Sequence, residues 1–579
     1  MSEAPALSLR DPGASPAEIR ERAEAQGAAP AAVHLLMGRG VRDADDQARW
    51  LRSRLADLRP PQAMAGFEPS LELLQDAVVN RRRVGVFGDY DVDGVTTAAI
   101  LTTYLEALGV EVVPRVASRD AGYGFGVADA QALAEAGAEV VLTGDCGTSD
   151  HEALAWLQTR GIPSAVIDHH QVPETMPPAT ALLNPHQPGC AFPFKGLCSA
   201  GVAFYLCASL RTALARAQRR ESLPDPRNWL DMVALGTVCD MVPLTDENRI
   251  LVRHGLGVLS QRRRPGLRAL LDASGVGLDE ALDASHLGFR LGPRLNAPGR
   301  LGPAEPSLAL LRAESAPEAR AMAARIESCN ARRRDLQEKI VADAEAKLAA
   351  DASTLHRHGL VVASERWLHG IVGIAASTLV QRYRRPTLVL AIDRARGEAR
   401  GSVRTHGDID VRAALHACAP LLRRYGGHRA AAGVTMDASA IPRLVEAFDA
   451  AVAEQHAARG GVVHGGEGYD GPLALADIDA GFMDAIEGLG PYGVGFPAPR
   501  YLLEEAEVDH VRILREKHLS LVLRQGGVLV DAIAFGQGGV PVVVGDRVAC
   551  LYVPVRNCFR GRWRLQLQLD AVWPLRRGF

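Results

Sequence analysis

Lysine and paired cysteines are scarce in this chain of 579 residues. The only lysines are Lys195, Lys339, Lys347 and Lys517, so almost all positive side chains are arginines. The nine cysteines include no Cys-x-x-Cys pair, which argues against a disulfide framework or a structural zinc site and fits a reducing cytoplasm. The net charge of −3 excludes a basic field over the whole protein, so any nucleic-acid surface must be local.

Long apolar runs are also missing. No segment is apolar over enough residues to span a membrane, and Met1 to Pro30 lacks the apolar centre of a signal peptide. We therefore expect a cytoplasmic protein with no membrane partner. Hydrophobic residues make up 47% of the chain, which is ample for folded cores, and the length allows about two to four domains.

One stretch near the start of the chain concentrates carboxylates. Val84 to Phe87 is a short apolar run that predicts a buried parallel strand. Asp89, Asp91 and Asp93 follow at alternate positions, before a predicted helix from Val95 to Leu108. Carboxylates this close repel one another unless cations neutralise them, and their oxygens suit magnesium or manganese. The alternative is that the aspartates only cap the helix, for which one would suffice.

Two later apolar runs also end in polar side chains. Glu139 to Thr143 is followed by Asp145, and Pro163 to Ile167 is followed by His169 and His170. The alternation of strands and helices predicts an α/β fold with a parallel, doubly wound sheet. In such a sheet these loops share one edge, so side chains far apart in sequence converge there.

Asp240, at the end of a predicted helix from Trp229 to Val238, becomes a further candidate in this context. Four aspartates and one histidine at a strand edge favour two metal ions that share a bridging carboxylate. Zinc alone would usually recruit more nitrogen or sulfur ligands. Two such ions clamp the attacking and leaving oxygens in phosphoryl hydrolysis.

The motifs Asp-Tyr-Asp-Val-Asp-Gly, Gly-Asp-Cys-Gly, Asp-His-His and Cys-Asp-Met-Val-Pro-Leu occur in this order. With them the chain resembles the DHH phosphoesterase superfamily, and most closely its bacterial exonucleases that act on single strands. The resemblance implies two divalent ions, Mn²⁺ or Mg²⁺, bridged by Asp145. The catalytic residues and metal ligands that it implies are Asp89, Asp91, Asp93, Asp145, His169, His170 and Asp240.

Within this set, the resemblance divides the ligands between the two ions. Asp91 is expected on one ion, and the other would take Asp93, His169 and Asp240. His170 would face the scissile phosphate. Asp89 lies at the approximate place where shorter members of the superfamily carry a histidine ligand, so we expect it at the metals without assigning it to one of them.

The second half of the chain contains a further α/β unit with two Gly-rich stretches, predicted to be turns. These are Gly401-Ser402-Val403-Arg404 and Gly426-Gly427-His428. Glycines let backbone amides approach a phosphate, and Arg404 adds a bidentate donor. The resemblance implies a DHH-associated domain in which these residues hold a terminal phosphate and the nearby nucleotide. The substrate contacts expected in the first half are Tyr123, Asn296 and Arg300.

Five short predicted strands after about Gly466 suggest a small barrel, and the superfamily resemblance implies an OB-fold. Such barrels stack bases on aromatic side chains beside cations. The candidates are Lys517, His518, Phe559, Arg560 and Trp563. The alternative for the aromatic residues is packing in the core or at an edge.

The expected domains follow from these segments. They are an N-terminal extension (1–60), a DHH catalytic domain (61–320), a linker helix (321–350), a DHH-associated substrate-binding domain (351–460) and an OB-fold nucleic-acid-binding domain (461–579). In the extension the sequence predicts a loose start and one helix from Asp43 to Leu55. Arg332-Arg333-Arg334 in the linker is either a solvated helix face or a nucleic-acid contact.

The resemblance implies a two-metal exonuclease that degrades single-stranded DNA from 5′ to 3′ in repair and recombination. It also suggests a single-stranded-DNA-binding protein and a helicase as partners. A second hypothesis is a phosphoesterase for oligoribonucleotides, cyclic dinucleotides or pyrophosphate, but such small substrates do not need the barrel. A third, a DNA-binding scaffold without activity, requires lost metal ligands, and every expected ligand is present.

Overall fold

The computed structural model describes residues 7–119, 124–218, 222–350, 352–458, 467–559 and 562–575. Two expected substrate contacts, Tyr123 and Arg560, lie outside the described residues, and so do the side chains of Phe559 and Trp563. Among the helices that the structure describes, none combines the length and the apolar character needed to cross a membrane.

The N-terminal extension has more secondary structure than the sequence predicts. It contains β1 (Leu7–Leu9), α1 (Pro16–Gln26), α2 (Pro30–Gly38) and α3 (Ala44–Arg52). The side chains of Ser15 and Asp43 cap α1 and α3 by accepting hydrogen bonds from amides of the first turn. The predicted loose start is wrong because β1 pairs in parallel with residues 467–469, a contact that no local pattern reveals.

The first sheet is parallel throughout. It and its helices comprise α4 (Phe67–Val79), β2 (Val84–Gly88), α5 (Val92–Ala107), β3 (Val112–Val116), α6 (Val127–Glu135), β4 (Val140–Gly144), α7 (His151–Thr159), β5 (Ser164–Ile167) and β6 (Ala181–Leu183). The strand order is β3-β2-β4-β5-β6. Alternate residues enter separate cores on the two faces: Val86 lies in one and Phe87 in the other. This burial on both faces explains the continuous apolar strands, and the predicted α/β fold is confirmed.

Seven α-helices follow this sheet in the part of the chain that the structure describes. They are α8 (Ser199–Gln218), α9 (Leu230–Cys239), α10 (Asp246–Ser260), α11 (Pro265–Ala273), α12 (Gly292–Leu301), α13 (Glu305–Arg312) and α14 (Ala316–Ala350). In α14, Ala319 and Ile326 belong to the core of the first sheet, whereas Ile340 and Ala344 belong to a core of the next domain. One helix therefore packs into both domains.

The second α/β domain has a mixed sheet. Its elements are β7 (Leu360–Ser364), α15 (His369–Tyr383), β8 (Thr387–Asp393), β9 (Glu398–Arg404), α16 (Val411–Ala417), β10 (Arg424–Gly427), β11 (Ala431–Asp437) and α17 (Ile441–Ala458), with strand order β10-β11-β9-β8-β7. The predicted Gly-rich turns are wrong, because residues 401–404 end β9 and residues 426–427 end β10. Gly401 allows close strand packing: a Cβ there would lie 2.4 Å from the carbonyl oxygen of Val389.

The C-terminal region closes into the expected barrel. Its elements are β12 (Glu467–Tyr469), α18 (Ala480–Gly488), β13 (Tyr501–Leu514), β14 (His518–Gln525), β15 (Val528–Ala534), β16 (Arg547–Phe559) and β17 (Arg562–Pro574). The closed order is β13-β14-β15-β17-β16. Alternate residues of β14, including Leu519, Leu521 and Leu523, fill the interior.

Candidate metal centre

Three carboxylates follow directly after adjacent strands at one edge of the parallel sheet. Asp89 follows β2, Asp145 follows β4 and Asp168 follows β5. The Asp89 amide donates to the carbonyl of Gly144 (3.1 Å), and the Asp145 amide donates to that of Ile167 (3.0 Å). The backbone hydrogen bonds of the sheet thus continue through these residues and hold them side by side.

Asp91 and Asp93 lie at the start of α5, which begins at position 92 instead of the predicted 95. Asp91 caps the helix, since its Oδ1 accepts a hydrogen bond from the Gly94 amide (3.0 Å). Asp93 is buried, and its oxygens accept hydrogen bonds from the amides of Ser199 (2.7 Å) and Ala200 (3.0 Å) at the start of α8. The alternative of helix capping therefore applies to Asp91. It does not apply to Asp93, whose carboxylate is bound by amides of another helix.

Seven side chains form three groups in which potential ligand atoms lie within 4.8 Å of one another. The groups are Asp89–Asp91–Asp145, Asp93–His169–Asp240 and Asp145–His169–His170. His169 Nε2 lies 3.2 Å from Asp145 Oδ1 and 3.4 Å from Asp240 Oδ2. The structure thus brings together every residue that the sequence interpretation placed at the metals. Asp145 belongs to two of the groups, and so does His169.

The donor atoms fit divalent cations. Asp89 Oδ1, His169 Nε2 and Asp240 Oδ2 are buried and have no hydrogen-bond partner among the described residues. A buried polar atom without a partner costs about 1–3 kcal/mol, and coordination to a cation would offset that cost. An oxygen-rich set with one or two imidazoles suits Mn²⁺ or Mg²⁺.

Burial and neighbouring charges raise the pKa of three carboxyl groups at the centre. Burial and the charge of Asp91 raise the pKa of Asp89 well above its usual value, and burial and Asp93 do the same for Asp145. Burial, with the charges of Asp93 and Asp91, raises the pKa of Asp240 to about 9. Cations would oppose all three shifts because they stabilise the carboxylate form.

Two residues at the site were missed by the sequence interpretation. Asp168 Oδ1 lies 2.8 Å from His170 Nδ1 and accepts hydrogen bonds from the amides of His169 and His170. Burial lowers the pKa of His170, but the hydrogen bond with Asp168 and the charges of Asp168, Asp240 and Asp91 together outweigh burial and raise the pKa to about 9. Ser199 Oγ donates to Asp145 Oδ1 (3.1 Å). The available signals were the first residue of Asp-His-His and the helix start at Ser199.

Three arginines from different parts of the chain lie near one another beside this centre. We call Arg119, Arg300 and Arg404 the arginine cluster. The Arg119 guanidinium lies 4.1 Å from the ring centroid of Tyr90, and its Nε donates to the carbonyl of Gly299 (3.2 Å). Burial and Arg119 lower the pKa of Arg300 to about 10, and the same two causes lower that of Arg404. Within the described part of the chain, none of the three arginines forms an ion pair with an acidic side chain. The arginine cluster is therefore suited to an anion.

Ser402 and Arg404 face α15. A Cβ on Gly373 of α15 would lie 3.1 Å from Arg404 Nη2 and 3.2 Å from Ser402 Oγ. The other predicted contacts that the structure describes are Asn296, half-buried on α12, Gly427 and His428, exposed at the end of β10, and Lys517, exposed in the turn between β13 and β14. Lys517 belongs to the barrel and to neither the metal centre nor the arginine cluster.

Three family models match the chain. They are the DHH family N-terminal domain over residues 83–237, the DHHA1 domain over residues 357–454 and the RecJ OB domain over residues 469–571. These ranges fall on the parallel sheet, the mixed sheet and the barrel.

Curated relatives are similar over nearly the whole chain. The single-stranded-DNA-specific exonuclease RecJ of Escherichia coli is 33% identical over 585 residues, which cover 96% of this chain and 98% of the relative. The chain belongs to the RecJ family. The RecJ exonuclease of Salmonella typhimurium is 34% identical over 574 residues, which cover 94% and 96% of the two chains.

Solved structures agree with this membership. RecJ from Thermus thermophilus in complex with Mn²⁺ superposes with a TM-score of 0.82 at 29% identity, over 99% of this chain and 80% of that one. The complex of the same protein with Mg²⁺ gives a TM-score of 0.76 at 27% identity, over 99% and 79%. The RecJ fold therefore extends over all the domains of this chain.

Proposed function

We propose that this chain is a two-metal exonuclease that degrades single-stranded DNA from 5′ to 3′. The observation that carries the proposal is the set of three adjoining ligand groups, joined through Asp145 and His169, in a member of the RecJ family. We assign Asp89 and Asp91 to one cation, Asp93, His169 and Asp240 to the other, and Asp145 to both. Mn²⁺ and Mg²⁺ are the proposed cofactors, since both occur in RecJ structures from Thermus thermophilus.

The two cations, when bound, supply positive charge to the attacking and leaving oxygens of phosphodiester hydrolysis. Asp145 sets the spacing of the two positions, because the backbone of the sheet and Ser199 Oγ fix its carboxylate. Asp168 orients His170 and favours its protonated form. His170 is thereby prepared to donate a hydrogen bond to an oxygen of the scissile phosphate.

We assign the arginine cluster to the terminal phosphate. Arg300 and Arg404 are positive side chains with no acidic partner in the described structure, and Ser402 adds a hydroxyl. Residues 369–371 begin α15 beside them, and amides at a helix start favour an anion. If the arginine cluster holds the 5′-terminal phosphate of a strand, the next phosphodiester would lie at the metals. Cleavage would then proceed from the 5′ end. Tyr123, Asn296, Gly427 and His428 would contact the terminal nucleotide.

The barrel would bind the strand further along. Its proposed contacts are Lys517, Phe559, Arg560 and Trp563, with stacking and backbone charge as the source of affinity. We also propose a role in repair and recombination, together with a single-stranded-DNA-binding protein and a helicase. A cytoplasmic location is supported by the eight described cysteines, all of which are unpaired.

The proposed domains keep the boundaries expected from the sequence: 1–60, 61–320, 321–350, 351–460 and 461–579. Limited proteolysis followed by mass spectrometry tests them, since cleavage should concentrate near 350 and 460 and should spare the boundary at 320, which lies inside α14.

Parallel digestion of three substrates tests the activity. They are a 5′-phosphorylated single strand, the corresponding blunt duplex and a dinucleotide, each with Mn²⁺ or with a chelator. We expect mononucleotides to appear first from the 5′ end of the single strand, and only with the metal. Exclusive cleavage of the dinucleotide would instead favour a small-substrate phosphoesterase. Metal-independent strand binding without cleavage would favour the scaffold hypothesis.

A further inference from the structure

Asp240 differs from the other carboxylates of the centre in how it is held. Asp89 and Asp145 extend strands of the sheet, whereas Asp240 follows the last residue of α9. The next residue, Met241, has a φ of 60° and a relative exposure of 71%. The sheet therefore does not hold Asp240. Its amide donates to the carbonyl of Gly236 (2.9 Å), the last hydrogen bond of α9, so Asp240 lies at the junction between α9 and the segment that follows.

That segment packs against a loop of the C-terminal region, residues 493–496, which we call the docking loop. The Leu244 amide donates a hydrogen bond to the carbonyl of Val494 (2.7 Å). A Cβ on Gly493 would lie 2.6 Å from Leu244 Cδ1, so the two segments approach too closely for most side chains. The docking loop therefore contacts Leu244, which follows Asp240 by four residues in the sequence.

Phe496 anchors the docking loop in a stack of rings and guanidinium groups. Its buried ring has its centroid 4.3 Å from that of Trp50 and 5.5 Å from that of Tyr492. The Arg39 guanidinium lies 4.5 Å from the Phe496 ring, and the Arg249 guanidinium lies 4.4 Å from the Trp50 ring. The stack joins the N-terminal extension, the catalytic domain and the C-terminal region.

Arg249 shows that this stack carries an energetic cost. It is among the largest fully buried side chains, and its Nε and Nη1 have no hydrogen-bond partner in the described structure. A buried guanidinium without an acidic partner is unfavourable, and aromatic faces offset only about 0.5–2 kcal/mol of that cost. The arrangement is therefore poorly suited to stability alone, and it holds the first turn of α10, in which Arg249 lies, against the docking loop.

The start of α10 in turn fixes the segment after Asp240. Asn248 Nδ2 donates to the carbonyl of Pro243 (2.9 Å) and also to that of Gly196. A continuous series of contacts therefore runs from Phe496, through Arg249 and the first turns of α10, to the residues that carry Asp240.

We infer that Phe496 is a positioning residue for Asp240, so that the C-terminal region completes the metal centre in addition to binding the strand. The inference rests on the proposed function, in which Asp240 is a metal ligand. It goes beyond that function because it assigns a part of metal binding to a residue more than 250 positions away in the sequence.

The experiment is a titration of the full chain with Mn²⁺, in which free Mn²⁺ is read from its electron paramagnetic resonance signal. Loss of a residue that orients a ligand weakens metal binding by about tenfold or more, and we expect this for Phe496→Ala. Phe496→Leu, which keeps most of the volume and is the variant more certain to fold, should show a smaller change in the same direction. Phe496→Tyr, which keeps the ring, should restore wild-type binding.

The matched control is Val530→Ala, which opens the same hydrophobic core on β15 and lies outside the docking loop in the sequence. We expect normal Mn²⁺ affinity in this variant even if it melts as early as Phe496→Ala. Equal weakening in both would show that general loosening of the barrel is responsible, and it would overturn the inference.

Asp240→Asn separates this inference from the proposed function. If Phe496 acts through Asp240, Phe496→Ala should weaken Mn²⁺ binding when Asp240 is present. The same substitution should have little further effect when it is combined with Asp240→Asn. Additive losses would refute the inference. Unchanged Mn²⁺ binding in Asp240→Asn alone would refute the ligand assignment and hence the proposed function of Asp240.

Discussion

Replacement of Arg404 by alanine tests whether the arginine cluster binds a terminal phosphate. Arg404 lies at the end of β9, and its described hydrogen bond is to the neighbouring carbonyl of Val403 (2.9 Å). Its charge has no acidic partner in the described structure, whereas burial and the charge of Arg119 lower its pKa. The side chain is thus costly in the free protein, and a bound anion would compensate that cost.

The expected loss of kcat/KM follows from the hydrogen bond that Arg404 would make to the terminal phosphate. A hydrogen bond to a charged group contributes about 1.5–3 kcal/mol, and about 1.4 kcal/mol corresponds to tenfold. Arg404→Ala should therefore lower kcat/KM for a 5′-phosphorylated strand by about tenfold to 150-fold. Its melting temperature should stay the same or rise, because no ion pair among the described residues is lost and the repulsion from Arg119 is removed.

The assay compares kcat/KM for two strands that differ only in a 5′-phosphate or a 5′-hydroxyl. Arg400→Ala is a suitable control, since Arg400 lies on the same face of β9 but pairs with Glu398 (2.6 Å). It should leave the preference for the phosphate unchanged. Equal losses on both strands in Arg404→Ala would mean a general backbone contact and would refute the terminal-phosphate assignment.

Three further predictions concern the metals and the barrel. Asp145→Asn should abolish cleavage but retain strand binding, because two cations lose the charge between them; near-normal turnover at saturating Mn²⁺ would contradict the two-metal assignment. Adding Mn²⁺ to chelator-treated protein should raise its melting temperature, since the cations bind only the folded site, and a melting temperature that does not change with Mn²⁺ would argue against a preformed centre. The double variant Phe559→Ala/Trp563→Ala should weaken long-strand binding by about tenfold to ten-thousandfold while sparing very short strands. An unchanged dependence of rate on strand length would place the strand-binding surface elsewhere, for example on Arg332.

The metal centre could be predicted because its position follows from local patterns. Apolar runs such as residues 84–88 specify buried strands, and parallel strands share the edge at which their polar residues follow. Once the strand ends before Asp89, Asp145 and His169 were recognised, their convergence required no further information. The assignment of individual ligands came from the family resemblance.

Features that depend on distant partners could not be predicted in this way. The pairing of β1 with β12 and the ring stack at Phe496 join residues hundreds of positions apart. Gly401 suggests a turn locally, although its function is to let β8 approach β9 closely. A glycine needed for close packing and a glycine needed for a turn leave the same signal in a sequence.

Close packing at glycines also explains how Arg404, on the second domain, keeps a fixed spacing from the metal centre. In α12, Gly292 packs on Cys239, which precedes Asp240, and Gly299 packs on the carbonyl of Tyr90. At the end of the same helix, the carbonyl of Arg300 would lie 2.1 Å from a Cβ on Gly370 at the start of α15. The helix therefore contacts two of the metal-ligand segments through its own glycines, and it contacts the second domain at Gly370 of α15. An enzyme that holds a terminal phosphate on one domain and cuts the adjacent phosphodiester on another requires such a fixed separation.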